Sequence, residues 1–114
     1  FTITINSMTR SSVNFTVTPT TNDQYYVTVE KVGTLAGYGP GEDKSYDDLI
    51  DYLLPEYENQ LTPRLFTGEN TISNTDLSKT VNGFSEYQIV VWGFDNGPTT
   101  TVFMSEPFRP ADPE

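Results

Sequence analysis

Neither cysteine nor histidine occurs among the 114 residues. Thiol nucleophiles, disulfide staples, Cys/His zinc centres and histidine general bases are therefore excluded. A Ser-His-Asp triad cannot be assembled within the chain. Positive charge is scarce too: six Lys and Arg stand against sixteen Asp and Glu, a net charge of −10. Such a field repels nucleic acid and anionic membrane surfaces. No apolar run approaches the roughly 20 residues that a membrane-crossing helix needs, so no membrane insertion by this segment is expected.

Aliphatic content is thin as well, with all hydrophobic residues at 35%. Seven Phe, seven Tyr and one Trp compensate, because each aromatic removes more area from water than an aliphatic side chain. A chain of this length fits one domain and can bury about 65% of the surface its unfolded form exposes. The acidity is local. Residues 1–32 balance, with Asp23 and Glu30 against Arg10 and Lys31, whereas residues 42–58 hold Glu42, Asp43, Asp47, Asp48, Asp51, Glu56 and Glu58 against Lys44 alone.

Thr, Val and Ile alternate in a way that favours strands. Phe1–Ile5 and Val13–Val17 each read as a strand with one buried face, joined by a polar hairpin loop from Asn6 to Ser12. Tyr25–Val32 reads as the third strand, burying positions 25, 27 and 29. Gly33–Gly41 then holds four glycines and a proline around Tyr38, the composition of an exposed, mobile loop. Ser45 makes a helix N-cap, with Asp47 and Asp48 placed for the dipole. Tyr46, Leu49, Ile50, Leu53, Leu54 and Tyr57 fall at helical spacing, opposite Asp47, Asp48 and Asp51. One helix over about residues 45–54 is expected, with Pro55 at its end.

From Leu65 the strand pattern resumes. Phe66–Asn74 and Thr75–Val81 are weak strand candidates, Tyr87–Phe94 is the strongest strand, and Thr99–Phe108 follows the tight turn Asp95–Pro98. There are no internal repeats. About seven short strands separated by turns predict an all-β immunoglobulin-like sandwich.

The segment Val81-x-Gly83-x-Ser85-x-Tyr87-x-Ile89-x-Val91 resembles the fibronectin type III pattern Leu-x-Pro-x-Thr-x-Tyr before an alternating strand. Val, Gly and Ser replace Leu, Pro and Thr. The resemblance implies that Tyr87 forms a corner, its hydroxyl bonding backbone upstream. It also puts Phe15 where the family has Trp, and makes Val81, Tyr87 and Phe15 structural residues. It covers nearly the whole chain outside residues 33–64, an insertion of the kind found in domains of bacterial surface lipoproteins.

The expected organisation is a sandwich over 1–109 and a linker or tail over 110–114, which has two prolines. A start at Phe1 without a basic and apolar leader fits a segment whose signal peptide was removed or lies outside it. A bacterial periplasm or outer surface is compatible with the missing cysteine. The resemblance implies a non-catalytic adhesion, spacer or interaction module, monomeric and joined to further domains, with a protein or glycan partner.

Three patterns could suggest chemistry. Asp47, Asp48 and Asp51 lack the irregular carbonyls and glycine turn of a calcium loop, so a solvated face is expected. Gly37–Ser45 superficially matches a phosphate loop, but Asp43 precedes Lys44 where glycine is needed, and the acids would repel phosphate. Asp95-Asn-Gly97 is explained by a hairpin turn. No catalytic, cofactor-binding or metal-ligating residue is assigned.

One stripe stands out. If Tyr87, Ile89 and Val91 face the core, then Val90, Trp92 and Phe94 face outward with Tyr26 and Thr28, too apolar to remain wet. Either the helix covers this stripe, or Trp92, Phe94 and Tyr26, with Tyr38 on the loop, form a binding platform for sugar or protein. A loop from Gly33 to Lys44 reaches about 40 Å when extended, enough for the helix to cross to that face.

Overall fold

A computed structural model describes residues 1–39, 41–54, 64–77, 79–95, 97–100 and 102–110. Pro55, Glu56, Tyr57, Glu58, Asn96 and tail residues 111–114 lie outside the described residues. Two antiparallel sheets face each other. One runs β1 (Thr2–Thr9), β2 (Ser12–Thr18), β5 (Asn70–Ser73); the other runs β4 (Leu65–Phe66), β3 (Tyr25–Lys31), β6 (Tyr87–Gly93), β7 (Phe103–Met104). Two helices, α1 (Val32–Leu35) and α2 (Tyr46–Leu53), lie between β3 and β4 in the chain. The architecture is an all-β sandwich with a helical insertion after the third strand.

The core follows from alternation. Val13, Phe15 and Val17 of β2 and Ile72 of β5 meet Tyr25, Val27 and Val29 of β3 and Tyr87, Ile89 and Val91 of β6, all buried. Phe15 lies between Ile5 and Ile72 across the ladder and is fully buried. Val81 closes the same cluster. The Tyr87 hydroxyl accepts the backbone N–H of Asn82 at 3.1 Å, so the tyrosine corner is built here.

The loop expected over Asn6–Ser12 is instead strand on both sides of a turn at Arg10 and Ser11. The pairing slips between Ile5 and Ser7, which makes Asn6 a bulged residue. Its Nδ2 donates to Asn14 Oδ1 and Thr16 Oγ1. The extra residue inverts the alternation, so Ile3, Ile5 and Met8 all pack on the core. A broken period therefore looked like a loop.

Thr75–Val81 is likewise no strand. Asn74, 1% exposed, accepts the Val13 N–H on Oδ1 at 3.0 Å and donates from Nδ2 to Lys79 O at 2.8 Å. Its own carbonyl accepts from Leu77 and Lys79, winding the chain into a turn. The last strand shrinks from Thr99–Phe108 to two residues for a related reason. Ser105 Oγ takes the Ile89 N–H, and Tyr87 then pairs with Phe108 across a one-residue bulge.

The region expected to be a mobile loop opens instead with α1 and continues in a tight closed turn. Gly39 N–H donates to Lys44 O at 2.8 Å, Lys44 N–H to Gly37 O at 3.1 Å and Glu42 N–H to Gly39 O at 3.0 Å. Gly39 has φ +118°, and a Cβ there would sit 2.9 Å from the Tyr46 ring, so both backbone and space demand glycine. At the other end of the molecule, Pro110 is buried, its carbonyl 3.2 Å from the point where a Gly83 Cβ would lie.

Tyr87→Phe leaves the Asn82 N–H without its acceptor and should destabilise the fold by about 1–3 kcal/mol. Chemical denaturation measures this; an unchanged midpoint would mean the corner contributes nothing.

Candidate functional site

α2 starts where Ser45 caps its N-terminus through two reciprocal hydrogen bonds. Ser45 Oγ accepts Asp48 N–H at 3.2 Å and Asp48 Oδ2 accepts Ser45 N–H at 3.2 Å, a reciprocal capping box. Asp47 and Asp48 add negative charge at the positive end of the helix dipole. The helix buries Leu49 and Ile50 and packs Tyr46, Leu53 and Leu54 on a second core made with Tyr26, Leu35, Val90, Trp92 and Val102.

Trp92 is thus 0% exposed, as is Tyr26. The two are register partners across β3 and β6, with ring centroids 4.5 Å apart and 24° between planes. That stacking is worth about 0.5–1.5 kcal/mol beyond burial. The Tyr26 hydroxyl donates to Leu53 O at 3.3 Å and accepts Arg64 Nη1–H at 3.1 Å; Arg64 Nε–H donates to Leu77 O at 2.9 Å. This cluster ties the end of α2 to both the sheet and the Asn74 turn.

Trp92 and Tyr26 therefore cannot form an exposed platform: the helix occupies the space a ligand would need. Phe94 is half-buried in the same cluster. Tyr38, the fourth expected platform residue, borders an open cleft of about 440 Å³. Thr34, Asp43, Lys44 and Tyr52 also line it.

Tyr38 and Tyr52 lie with ring centroids 6.3 Å apart and planes within 17°. Tyr52 is 64% exposed, and Lys44 Nζ stands 5.6 Å from the Tyr38 centroid. Reading the helix by its apolar stripe passed over Tyr52, because it falls beside Asp48 on the polar face. An aromatic on the polar side of an amphipathic helix was the available signal. Phe84, 92% exposed, was passed over too; it edges a separate cleft with Lys31 and Arg109.

Among the described residues no group of three or more Asp and Glu could hold a metal ion, and no helix is long and apolar enough to cross a membrane. Burial pushes the Tyr26 phenol above its ordinary value, with Arg64 pulling the other way. Burial raises Tyr25 likewise, opposed by its bond from Asn70. No protein-family model, curated protein or solved structure matches the chain.

Trp92 should resist iodide quenching. Leu49→Ala should cost about 2–5 kcal/mol and raise that quenching, since Leu49 forms part of the lid; free quenching in the wild type would disprove the covering. The raised phenols predict a second behaviour. The unfolded chain loses these protons near pH 10.0, before the folded chain does, so stability should fall as pH rises from there through the folded values. In pH-dependent denaturation, Tyr26→Phe should flatten this alkaline slope; an unaltered slope would remove Tyr26 from the account.

Proposed function

We propose that the chain is a fibronectin type III-like, non-catalytic adhesion, spacer or interaction module of a larger secreted or cell-surface bacterial protein. Its contact surface is the cleft at Tyr38 and Tyr52. The strand partition supports the fold part of this reading. β4 extends the β3 sheet, whereas the constant-type immunoglobulin arrangement pairs the fourth strand with the first sheet. The Tyr87 corner supports it again.

The observation that carries the functional part is the Tyr38–Tyr52 pair. The chain hides the stacked pair Tyr26 and Trp92 beneath a helix, yet leaves this pair at an open cleft, Tyr38 on a turn closed by three backbone hydrogen bonds and Tyr52 on α2. Preorganised aromatic rings beside polar groups suit recognition. A second reading, a carbohydrate-binding module, draws on the same rings, since sugar C–H faces stack on aromatic planes.

The 114-residue chain and its Tyr38→Ala/Tyr52→Ala variant can be presented to a glycan array and to a panel of purified extracellular proteins. The wild type should be retained on a member of one set and the variant released from it with little change in melting temperature. Equal retention of both, or retention of neither, would overturn the contact surface.

A further inference from the structure

The turn and helix that build the cleft carry Glu42, Asp43, Asp47, Asp48 and Asp51, every one exposed. Lys44 is the one cation between residues 32 and 54. Carboxylates crowded on one surface enrich cations and repel anions. Aromatic faces add to this, because their quadrupole presents negative charge to whatever lies above the ring.

The arrangement of Lys44 bears directly on the occupant. Its ammonium stands 5.6 Å from the Tyr38 centroid, within the roughly 6 Å reach of a cation–π contact. The cleft thus already holds a cation on one ring, supplied by the chain itself, while the Tyr52 ring beside it stays 64% exposed. Asp43 lines the same cleft and offers a carboxylate to an incoming guanidinium or ammonium.

We infer that the cleft receives a basic segment of a partner protein, one of whose arginines stacks on Tyr52 and displaces Lys44 from Tyr38. This rests on the contact surface proposed above and names its ligand class. Arginine is preferred over lysine because its planar, weakly hydrated guanidinium lies flat on aromatic rings and pairs bidentately with a carboxylate. Lys44 is then an internal competitor for the site it borders. Its removal should strengthen binding, whereas a site that used Lys44 to grip sugar hydroxyls would be weakened by the same change.

The test titrates the isotope-labelled chain by NMR, at physiological ionic strength, with capped octaarginine, capped octalysine and, separately, cellohexaose. Octaarginine should shift amides within residues 36–53 and bind more tightly than octalysine. Tyr52→Ala, which keeps every charge, should weaken it by about two- to fivefold, the scale of one exposed cation–π contact. Lys44→Ser should strengthen it by a similar factor, and that gain should vanish in a Tyr38→Leu background.

A Lys44→Ser variant that binds octaarginine no better, or shifts scattered over all the acidic surface, overturns the inference. Shifts of the 36–53 amides by cellohexaose and not by octaarginine overturn it too, and leave the contact surface standing. Silence of those amides toward all three probes removes both.

Discussion

The pairing of Tyr26 with Trp92 across the β3–β6 ladder obliges this sheet to be covered twice. Alternation sends Tyr25, Val27, Tyr87, Ile89 and Val91 into the sandwich, and by the same geometry sends Tyr26, Val90 and Trp92 out of it. An outward stripe of that size left in water would forgo its own burial energy and expose a contiguous apolar patch. The insertion between β3 and β4 answers this demand. α2 lays Leu49 and Ile50 on the stripe, and α1 adds Leu35. The result is a sheet with an apolar layer on each side, nearer to the central sheet of a three-layer protein than to an ordinary sandwich wall.

Polar side chains hold the layers in register where secondary structure runs out. Asn74 is almost wholly buried and satisfies backbone groups of Val13 and Lys79. Arg64 reaches the Leu77 carbonyl and the Tyr26 hydroxyl together. Lys79 pairs with Glu30 at 2.8 Å, and Glu30 accepts from Thr28 at 2.6 Å. The Asn74–Val13, Arg64–Tyr26 and Lys79–Glu30 contacts link segments far apart in the chain, and removing Asn74 leaves the buried Val13 N–H unmet.

Elements governed by a single period were legible in the sequence. β3 and β6 alternate without interruption, and α2 carries both a cap and a stripe, so their existence, faces and contact could be inferred before any coordinates. What escaped was punctuation. The Asn6 bulge and the slip beside Ser105 each invert or break an alternation, and at Ser105 a side-chain oxygen takes the ladder N–H of Ile89. The Ser73–Asp76 turn is local in its hydrogen bonds, but the bond that fixes Asn74 to Val13, 61 residues away, has no local signal. The candidate site was half legible. Tyr38 stood out among glycines, but Tyr52 was hidden by its place among acids, and only the closure of the turn at Gly39 brings the two rings together.

The Asn6 bulge has a further effect on how molecules of this protein meet. β1 lies at the end of its sheet, with β2 on one side. Among the described residues no strand pairs with its outer side, and an edge of eight residues is a template onto which another chain can add, the route by which β proteins aggregate. It carries no lysine and no proline, the usual deterrents. The doubled residue supplies one instead: it divides the edge into two short runs out of phase with each other. A straight incoming strand could match only one of them. A single asparagine thus guards a surface that charge leaves undefended, and shortening the strand by that residue would open it.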